Sequence, residues 1–380
     1  MGEPFQTSIM NKKIGLLSLG AGRNAGGPEV YEHNIVRSLA AVDSDTEFHV
    51  YCTSSAAIES FGLEQDNVIF HQMKPSSRLI SLPFVFPRLL KKHGIDFYHA
   101  MYAPAPVSSK PFLFSHHCFS NFAHPEFYPW SIRMRLEPLI KRGLRDSDVV
   151  LCVSDDVRQR TAEHFNMDLS RFRVIHHGVN PVFAPQSREE ARERVAQLLG
   201  IQDPYVLVVG KLETRKNLQR TLEAFAEFRK KVDEPVKLVL AGKRTWHNKV
   251  LDEALSRLDL TDHVVETGYI PHDKLNSVYS GALMYVFASL WEGFGMPVLE
   301  AMRCGTPVIT SNISSLPEVA GDAALLVDPY SVSEIVEAMV KLYGDDALRE
   351  EMRERGFKQS SLFSWEKAAA ETLSAYREML

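Results

Sequence analysis

The sequence predicts an α/β protein made of two doubly wound, Rossmann-like domains. Three observations predict it. Short β-branched or apolar runs, each followed by a turn and an amphipathic stretch, recur along the chain. Several of these runs are almost continuously apolar, as parallel strands covered by helices on both faces must be. The whole pattern occurs twice, on either side of a join at residues 180–188 where two prolines suppress regular structure.

Size and charge agree with this reading. At about 100–200 residues per domain, 380 residues make two domains. A hydrophobic share of 45% against 24% charged excludes a disordered chain. The four cysteines, Cys52, Cys118, Cys152 and Cys304, form no CxxC pair, which argues against a disulfide framework or a structural zinc site. A net charge of -5 gives no support for nucleic-acid binding. No apolar run approaches the ~18 residues of a membrane span, and the 14–19 stretch is too short for a signal-peptide core. The expected location is cytoplasmic.

Taken in order, residues 1–11 show no periodicity and are expected to be a flexible tail. An N-terminal domain, 12–182, has strand-like runs at 13–19, 48–52, 68–71, 97–100, 112–115, 149–153 and 173–176. A C-terminal domain, 183–362, has them at 205–209, 236–240, 264–267, 283–286, 308–310 and 324–327. Helical spacing shows between runs, as at Leu218, Leu222, Phe225 and Ala226. Residues 363–380 place Trp365, Ala368, Leu373, Tyr376 and Leu380 on roughly one helix face, expected to pack back on the N-terminal domain. Residues 1–180 carry 19 Lys+Arg and 18 Asp+Glu; residues 181–380 carry 24 and 30. The acidic surplus therefore lies in the second half, whereas eleven of the 14 histidines lie in the first.

The chemistry-bearing segments sit where strands run out. After the first strand, Gly20, Gly22, Gly26 and Gly27 precede a helix starting near Pro28. Backbone N–H groups and a helix N-terminus there suit an anion. The third glycine comes too late for the GxGxxG dinucleotide fingerprint, so a nicotinamide oxidoreductase is disfavoured. In the second half, Gly210 closes a strand, Lys211 follows, and Lys216 opens the next helix; positive charge at that end opposes the helix dipole and suits a diphosphate. Arg215 beside it is read as facing solvent. The 289–312 segment carries Glu292 on a loop and Glu300 one turn inside a helix, with Phe294 and Gly295 N–H groups between them. Carboxylates accept well from paired sugar hydroxyls.

EGFGMPVLEAMRCGTPVITSN resembles the E-x7-E signature of the retaining glycosyltransferase family 4, also known as group 1 glycosyltransferases. VVGKLETRKNLQRTLEAF, VIHHGVNPVF, SSLPEVAGDAALLVDP and FSWEKAAAETLSAY resemble further segments of that family, so the resemblance spans nearly the whole chain. It implies the GT-B fold, two Rossmann-like domains facing a central cleft. It implies that Lys211 and Lys216 hold the donor pyrophosphate, Glu300 the ribose and Glu292 the transferred hexose. Phe294, Gly295, Met296 and Pro297 line the sugar and phosphate, Gly26 and Gly27 close over the phosphates, and Tyr269 and Ile270 meet the nucleobase. His117 matches the active-site histidine. Cys118 stands where Asp is usual, and His176-His177 and Asn180 replace the commoner residues around Gly178.

The function so implied is retaining transfer of a hexose to a saccharide or lipid-linked saccharide hydroxyl in polysaccharide or glycolipid biosynthesis. The donor is a nucleotide diphosphate sugar, a UDP-hexose or GDP-hexose, with UDP-glucose favoured over GDP-mannose, and neither a resident metal nor a bound cofactor is expected. A nucleotide-sugar epimerase of the same fold and a non-catalytic glycan- or nucleotide-binding protein are the alternatives. Asp146-Ser147-Asp148 looks like a DxD metal motif, though a cap-and-turn role explains it. The segment from Trp130 to Arg145, with five Lys/Arg against one Glu, reads as an amphipathic cationic helix able to rest on an anionic membrane. That adds the inner face of the cytoplasmic membrane to the expected location. The oligomeric state is not legible.

Overall fold

Each of the thirteen apolar runs forms a strand in the structure, a computed structural model that describes residues 12–23, 26–244 and 248–380. The expected tail, 1–11, lies outside the described residues. The chain divides into two compact units, residues 1–178 with 364–380, and residues 179–363.

In the first unit, β1 (Lys13–Leu17), β2 (Glu47–Cys52), β3 (Val68–Gln72), β4 (Phe97–Ala100), β5 (Phe112–His116), β6 (Val149–Cys152) and β7 (Phe172–Val174) form one sheet in the order β3-β2-β1-β4-β5-β6-β7. Every pairing among them is parallel. The order reverses between β1 and β4, so the loops leaving those strands flank a topological switch point, where doubly wound sheets bind ligands. The helix Trp365–Arg377 completes this unit. It starts at Ser364, whose hydroxyl accepts from the Lys367 N–H, and it packs on the helix Gly27–Val42. The Tyr376 hydroxyl lies 2.8 Å from His99 Nδ1, and His99 Nε2 lies 2.7 Å from the Ser115 hydroxyl.

His177 shows what the residues before Gly178 do. Its ring sits 5.5 Å from Trp365, stacked, and 5.0 Å from Tyr31. A Cβ on Gly178 would fall 2.2 Å from the Trp365 backbone nitrogen, so only glycine allows this approach.

In the second unit, β8 (Tyr205–Val209), β9 (Lys237–Ala241), β10 (Val264–Gly268), β11 (Met284–Phe287), β12 (Val308–Ser311) and β13 (Ala324–Val327) form a parallel sheet in the order β10-β9-β8-β11-β12-β13. Its switch point lies between β8 and β11. The helix Leu218–Arg229 buries Leu222, Phe225 and Phe228 in one cluster with Val206, Leu238 and Leu240, each full burial being worth roughly 1.5–3 kcal/mol.

The helix Trp130–Asp146 runs on through Pro138 and leaves Trp130, Ile132 and Met134 exposed. Its charge is partly neutralised: Arg133 pairs with Glu137, and Arg142 and Arg145 both pair with Asp146. Asp148 accepts the Phe112 N–H. Both acids of the DxD-like triplet thus have structural partners. All four cysteines are free thiols. Among the described residues no helix is long and apolar enough to cross a membrane.

Candidate active site

In the second unit the site is built from the loops after β8 and β11. A short 3₁₀ turn, Thr214–Lys216, ends at Asn217, which takes the left-handed conformation (φ 57°) and starts the helix Leu218–Arg229. The Asn217 side chain donates to the Ala288 and Pro329 carbonyls, tying this turn to the end of β11. Arg215 and Lys216 are thereby aimed at the same carboxylate. Lys216 Nζ donates to Glu292 Oε1 at 2.7 Å, and Arg215 Nη1 stands 2.8 Å from Glu292 Oε2. Arg215 also binds Glu213 and the Trp291 carbonyl, so the expectation that it faces solvent is corrected: a guanidinium's fork matches a carboxylate and a carbonyl at once. Lys216 lies 4.3 Å from the centre of the Phe287 ring. It also passes beside Gly210, which adopts a positive φ of 137° that favours glycine.

Burial would raise the Glu292 carboxyl, but Arg215 and then Lys216 overcome this and hold it at about 2. It is a carboxylate at every physiological pH. Burial pulls the Lys216 ammonium below its ordinary value against the pull of Glu292. Lys216 retains two N–H donors beyond the one that Glu292 takes. Lys211, next to Gly210, is exposed.

The Glu292–Gly295 loop is clasped from β12's exit. Ser315 donates to the Glu292 and Phe294 carbonyls, and Ser314 accepts the Glu292 N–H. Gly295 caps the helix Met296–Arg303 at φ 115°, where an added Cβ would meet Leu316 at 2.8 Å. Pro297 fits its first turn because an N–H there has no helical partner. Phe294 is buried, and Met296 and Pro297 are half-buried. Glu300 follows inside the helix. Burial pushes its carboxyl up to about 7, opposed by a 3.0 Å bond from the Tyr279 hydroxyl. Tyr269 and Ile270 follow β10, two strands away from β11's neighbour side; Tyr269 is exposed beneath Lys243 and Ile270 is buried. The helix after them, His272–Ser280, carries Tyr279.

In the first unit, His117 follows β5. Its Nε2 donates to the Met101 carbonyl at 2.6 Å, and its Nδ1 is buried without a hydrogen-bond partner in the described structure. Burial takes this imidazole down to about 4, partly offset by the Met101 bond, so it is neutral with an acceptor lone pair on Nδ1. The Met101 carbonyl orients the ring. Cys118 engages the Ser120 hydroxyl at 2.8 Å instead.

Gly26 caps the helix Gly27–Val42 with φ 76°. Upstream, the loop differs from the sequence expectation of open N–H groups. The Leu19, Gly20 and Ala21 N–H groups and the Ser18 hydroxyl all donate to the Glu32 carboxylate, and the Gly22 N–H donates to Glu29. The anion held by this stretch is the protein's own. Glu32, Tyr279, Ser314 and Ser315 escaped sequence reasoning, and Arg215 was assigned to solvent there. Glu32 lies inside its helix and reaches back past the cap to residues 18–21, which no local motif reveals, and for Arg215 its place beside Lys216 was the one local hint.

These elements follow known proteins closely. The profile described as Glycosyltransferase Family 4 matches residues 25–183, and that described as Glycosyl transferases group 1 matches residues 184–359. The O-antigen chain mannosyltransferase B of Escherichia coli is 32% identical over 285 residues, 75% of this chain and 73% of that one. The chain belongs to the group 1 glycosyltransferases, family 4. Among solved structures this glycosyltransferase is similar to sucrose-phosphate synthase from Thermosynechococcus elongatus, with TM-score 0.78 and 22% identity over 97% of this chain and 98% of that one. It is also similar to Anabaena HepE in complex with UDP and glucose, with TM-score 0.76 and 19% identity over 96% of this chain and 100% of that one. At such identities the likeness is one of fold, the GT-B fold of two Rossmann-like domains.

Proposed function

We propose that this glycosyltransferase moves a hexosyl group, with retention of anomeric configuration, from a nucleoside diphosphate sugar to a hydroxyl of a saccharide or lipid-linked saccharide, in polysaccharide or glycolipid assembly. The observation that carries the reading is the convergence of Arg215 and Lys216 on Glu292 beside Gly210. Two cations gathered at the carboxyl end of β8, one of them with donors to spare, suit a leaving diphosphate, whose negative charge grows in the transition state.

In this reading Lys211, Arg215 and Lys216 supply the positive charge at the phosphates, and no divalent ion is required there. Glu300, as a carboxylate, accepts the ribose hydroxyls. Glu292 fixes the two cations and offers its remaining lone pairs to the hexose. The His117 Nδ1 accepts from a donor-sugar hydroxyl. Phe294–Pro297 and the Gly26–Gly27 turn supply backbone donors, and Tyr269 and Ile270 meet the base. Both Glu292 oxygens are paired with cations, which favours front-side displacement over a covalent glycosyl–carboxylate. The C1–O bond to phosphate breaks, the C1–O bond to the acceptor forms, and the acceptor proton passes to the departing phosphate oxygen.

We read a mannosyl donor, GDP-mannose, ahead of the UDP-glucose favoured from sequence, a reading supported by the 32% identity over three quarters of the chain to a protein named as a mannosyltransferase. UDP-glucose is the second reading, supported by the ligands of HepE. Release of GDP or UDP from the two donors, with saccharide acceptors and EDTA present, tests the assignment. GDP release with an α-linked product supports it. An inverted anomeric centre overturns retention, and dependence on added Mg²⁺ overturns the metal-free phosphate site.

The exposed Trp130, Ile132 and Met134 beside Arg135 and Lys141 support peripheral contact with an anionic membrane, consistent with a lipid-linked acceptor.

A further inference from the structure

Eleven histidines fall in the first half of the sequence, and His117 and His177 account for only part of them. Three others meet at the edge of the first unit's sheet. His49 lies on β2, His71 on the edge strand β3, and His93 caps the helix Phe86–Lys92 that precedes β4. One ring nitrogen from each falls within 4.8 Å of the others. The rings are stacked, with centroids 5.0 Å apart for His49 and His71, 4.1 Å for His71 and His93, and 5.6 Å for His49 and His93. None of the three belongs to the loops that leave the carboxyl ends of the strands, where the candidate active site lies.

The hydrogen bonding sets up lone pairs. Glu47 Oε1 stands 2.6 Å from His49 Nε2, which therefore carries the proton. His49 Nδ1 is then an acceptor, and it faces His71 Nε2 at 2.8 Å. A carboxylate on the outer nitrogen of an imidazole is the arrangement that orients histidine toward a metal and raises its basicity. The Tyr51 hydroxyl, 2.9 Å from His93 Nδ1, steadies the third ring.

We propose that His49, His71 and His93 form a site for a divalent cation of the zinc class, separate from the glycosyl-transfer machinery. Imidazole nitrogens select zinc, nickel or copper over magnesium. Tetrahedral metal–nitrogen bonds of ~2.0–2.1 Å set ligand nitrogens about 3.3 Å apart, so His49 and His71, now 2.8 Å apart, part slightly while the longer separations within the cluster close, movements that the two partly exposed rings on β3 and at the helix end permit. When the ion enters between His49 Nδ1 and His71 Nε2, the His71 proton moves to its own Nδ1, so no net proton is lost from that pair. Glu47 offsets part of the added charge. Lys13, paired with Glu47, and Lys92, beside His93, oppose it.

The test is calorimetric titration of the chelator-treated full chain with ZnCl₂, and in parallel with MgCl₂. One zinc per chain is expected, with no magnesium heat and a zinc-dependent rise in melting temperature. His71→Ala and His93→Ala, each checked by circular dichroism, are expected to weaken zinc at least ~30-fold and to abolish the rise. X-ray absorption on the wild-type one-to-one complex is expected to show three imidazole nitrogens at about 2.0 Å, a readout that stands even if a variant fails to fold. Zinc binding unchanged in both variants, absent from the wild type, or with fewer than three imidazoles around the metal overturns the proposal and leaves the cluster as a packed stack.

Discussion

Lys216 reaches across 76 positions of sequence to place its ammonium 2.7 Å from the Glu292 carboxylate, and Arg215 holds the other oxygen of the same group. The basic turn after β8 and the E-x7-E loop after β11 are therefore one electrostatic unit. Glu292 is the anion the two cations share, with Glu213 and the Trp291 carbonyl holding Arg215 as well.

Glu292→Gln tests that unit. It leaves two half-buried cations side by side without their shared anion. Breaking a buried pair costs about 3–5 kcal/mol, and Glu213, still bound to Arg215, offsets part of it. A loss of about 3 kcal/mol is expected in denaturant unfolding, with kcat/KM reduced about 100-fold or more. Arg215→Ala is expected to cost less stability, because Lys216 still neutralises Glu292.

The two signature acids give opposite pH behaviour. Glu300 has its carboxyl raised from 4.5 to about 7. Its folded state binds the proton more tightly, so its contribution to stability is full below 4.5 and is lost as pH rises through 7. Glu292, depressed to about 2, contributes stability above 4.5 that is lost as pH falls toward 2. If, as proposed, Glu300 takes the ribose hydroxyls as a carboxylate, donor affinity is expected to rise with pH across 6–8. Glu300→Gln is expected to lower affinity and flatten that profile. An unchanged slope in the variant would assign the titration elsewhere.

Glu32 holds the loop after β1 by three backbone N–H groups and the Ser18 hydroxyl. Glu32→Ala is expected to leave those donors buried and unsatisfied, at about 1–3 kcal/mol. Hydrogen exchange is the direct readout, with the Leu19, Gly20 and Ala21 amides expected to exchange at least tenfold faster.

Gly178→Ala is expected to displace the C-terminal helix from the first unit, because the new methyl overlaps Trp365. Overpacking of this kind costs about 1–3 kcal/mol. Chemical denaturation measures it, and trypsin cleavage after Arg377 or Lys367 should accelerate.

Flotation with anionic vesicles tests the helix Trp130–Asp146. Binding at low salt that falls with Trp130→Ala and with Arg135→Glu is expected. No binding by the wild type would remove membrane contact from the account.

The fold was legible because parallel strands buried on both faces must be continuously apolar. Val149–Cys152 and Tyr205–Val209 could scarcely be anything else between turn residues and amphipathic helices. Strand ends moved by a residue or two, as at β1, where the ladder stops at Leu17 and Ser18 turns to Glu32. In the site, Lys216, Glu292 and Glu300 were legible as residues of unusual charge at strand exits. Their partners were not. Arg215 bonds a carboxylate 77 positions away, and a basic residue beside a lysine is ordinarily a solvated one. The three histidines of β2, β3 and the helix before β4 are separated by whole structural elements, a spacing that no short motif describes.

The most direct measurement is calorimetric titration of the protein with GDP, UDP, GDP-mannose, UDP-glucose and NAD, without Mg²⁺, for the wild type and Lys216→Ala. Selective binding of one nucleoside diphosphate and its sugar by the wild type is expected, with no binding of NAD and affinity reduced by about 10–100-fold in the variant, the loss of a charge-assisted bond. Undiminished diphosphate binding by Lys216→Ala would contradict the phosphate site on which the proposed function rests.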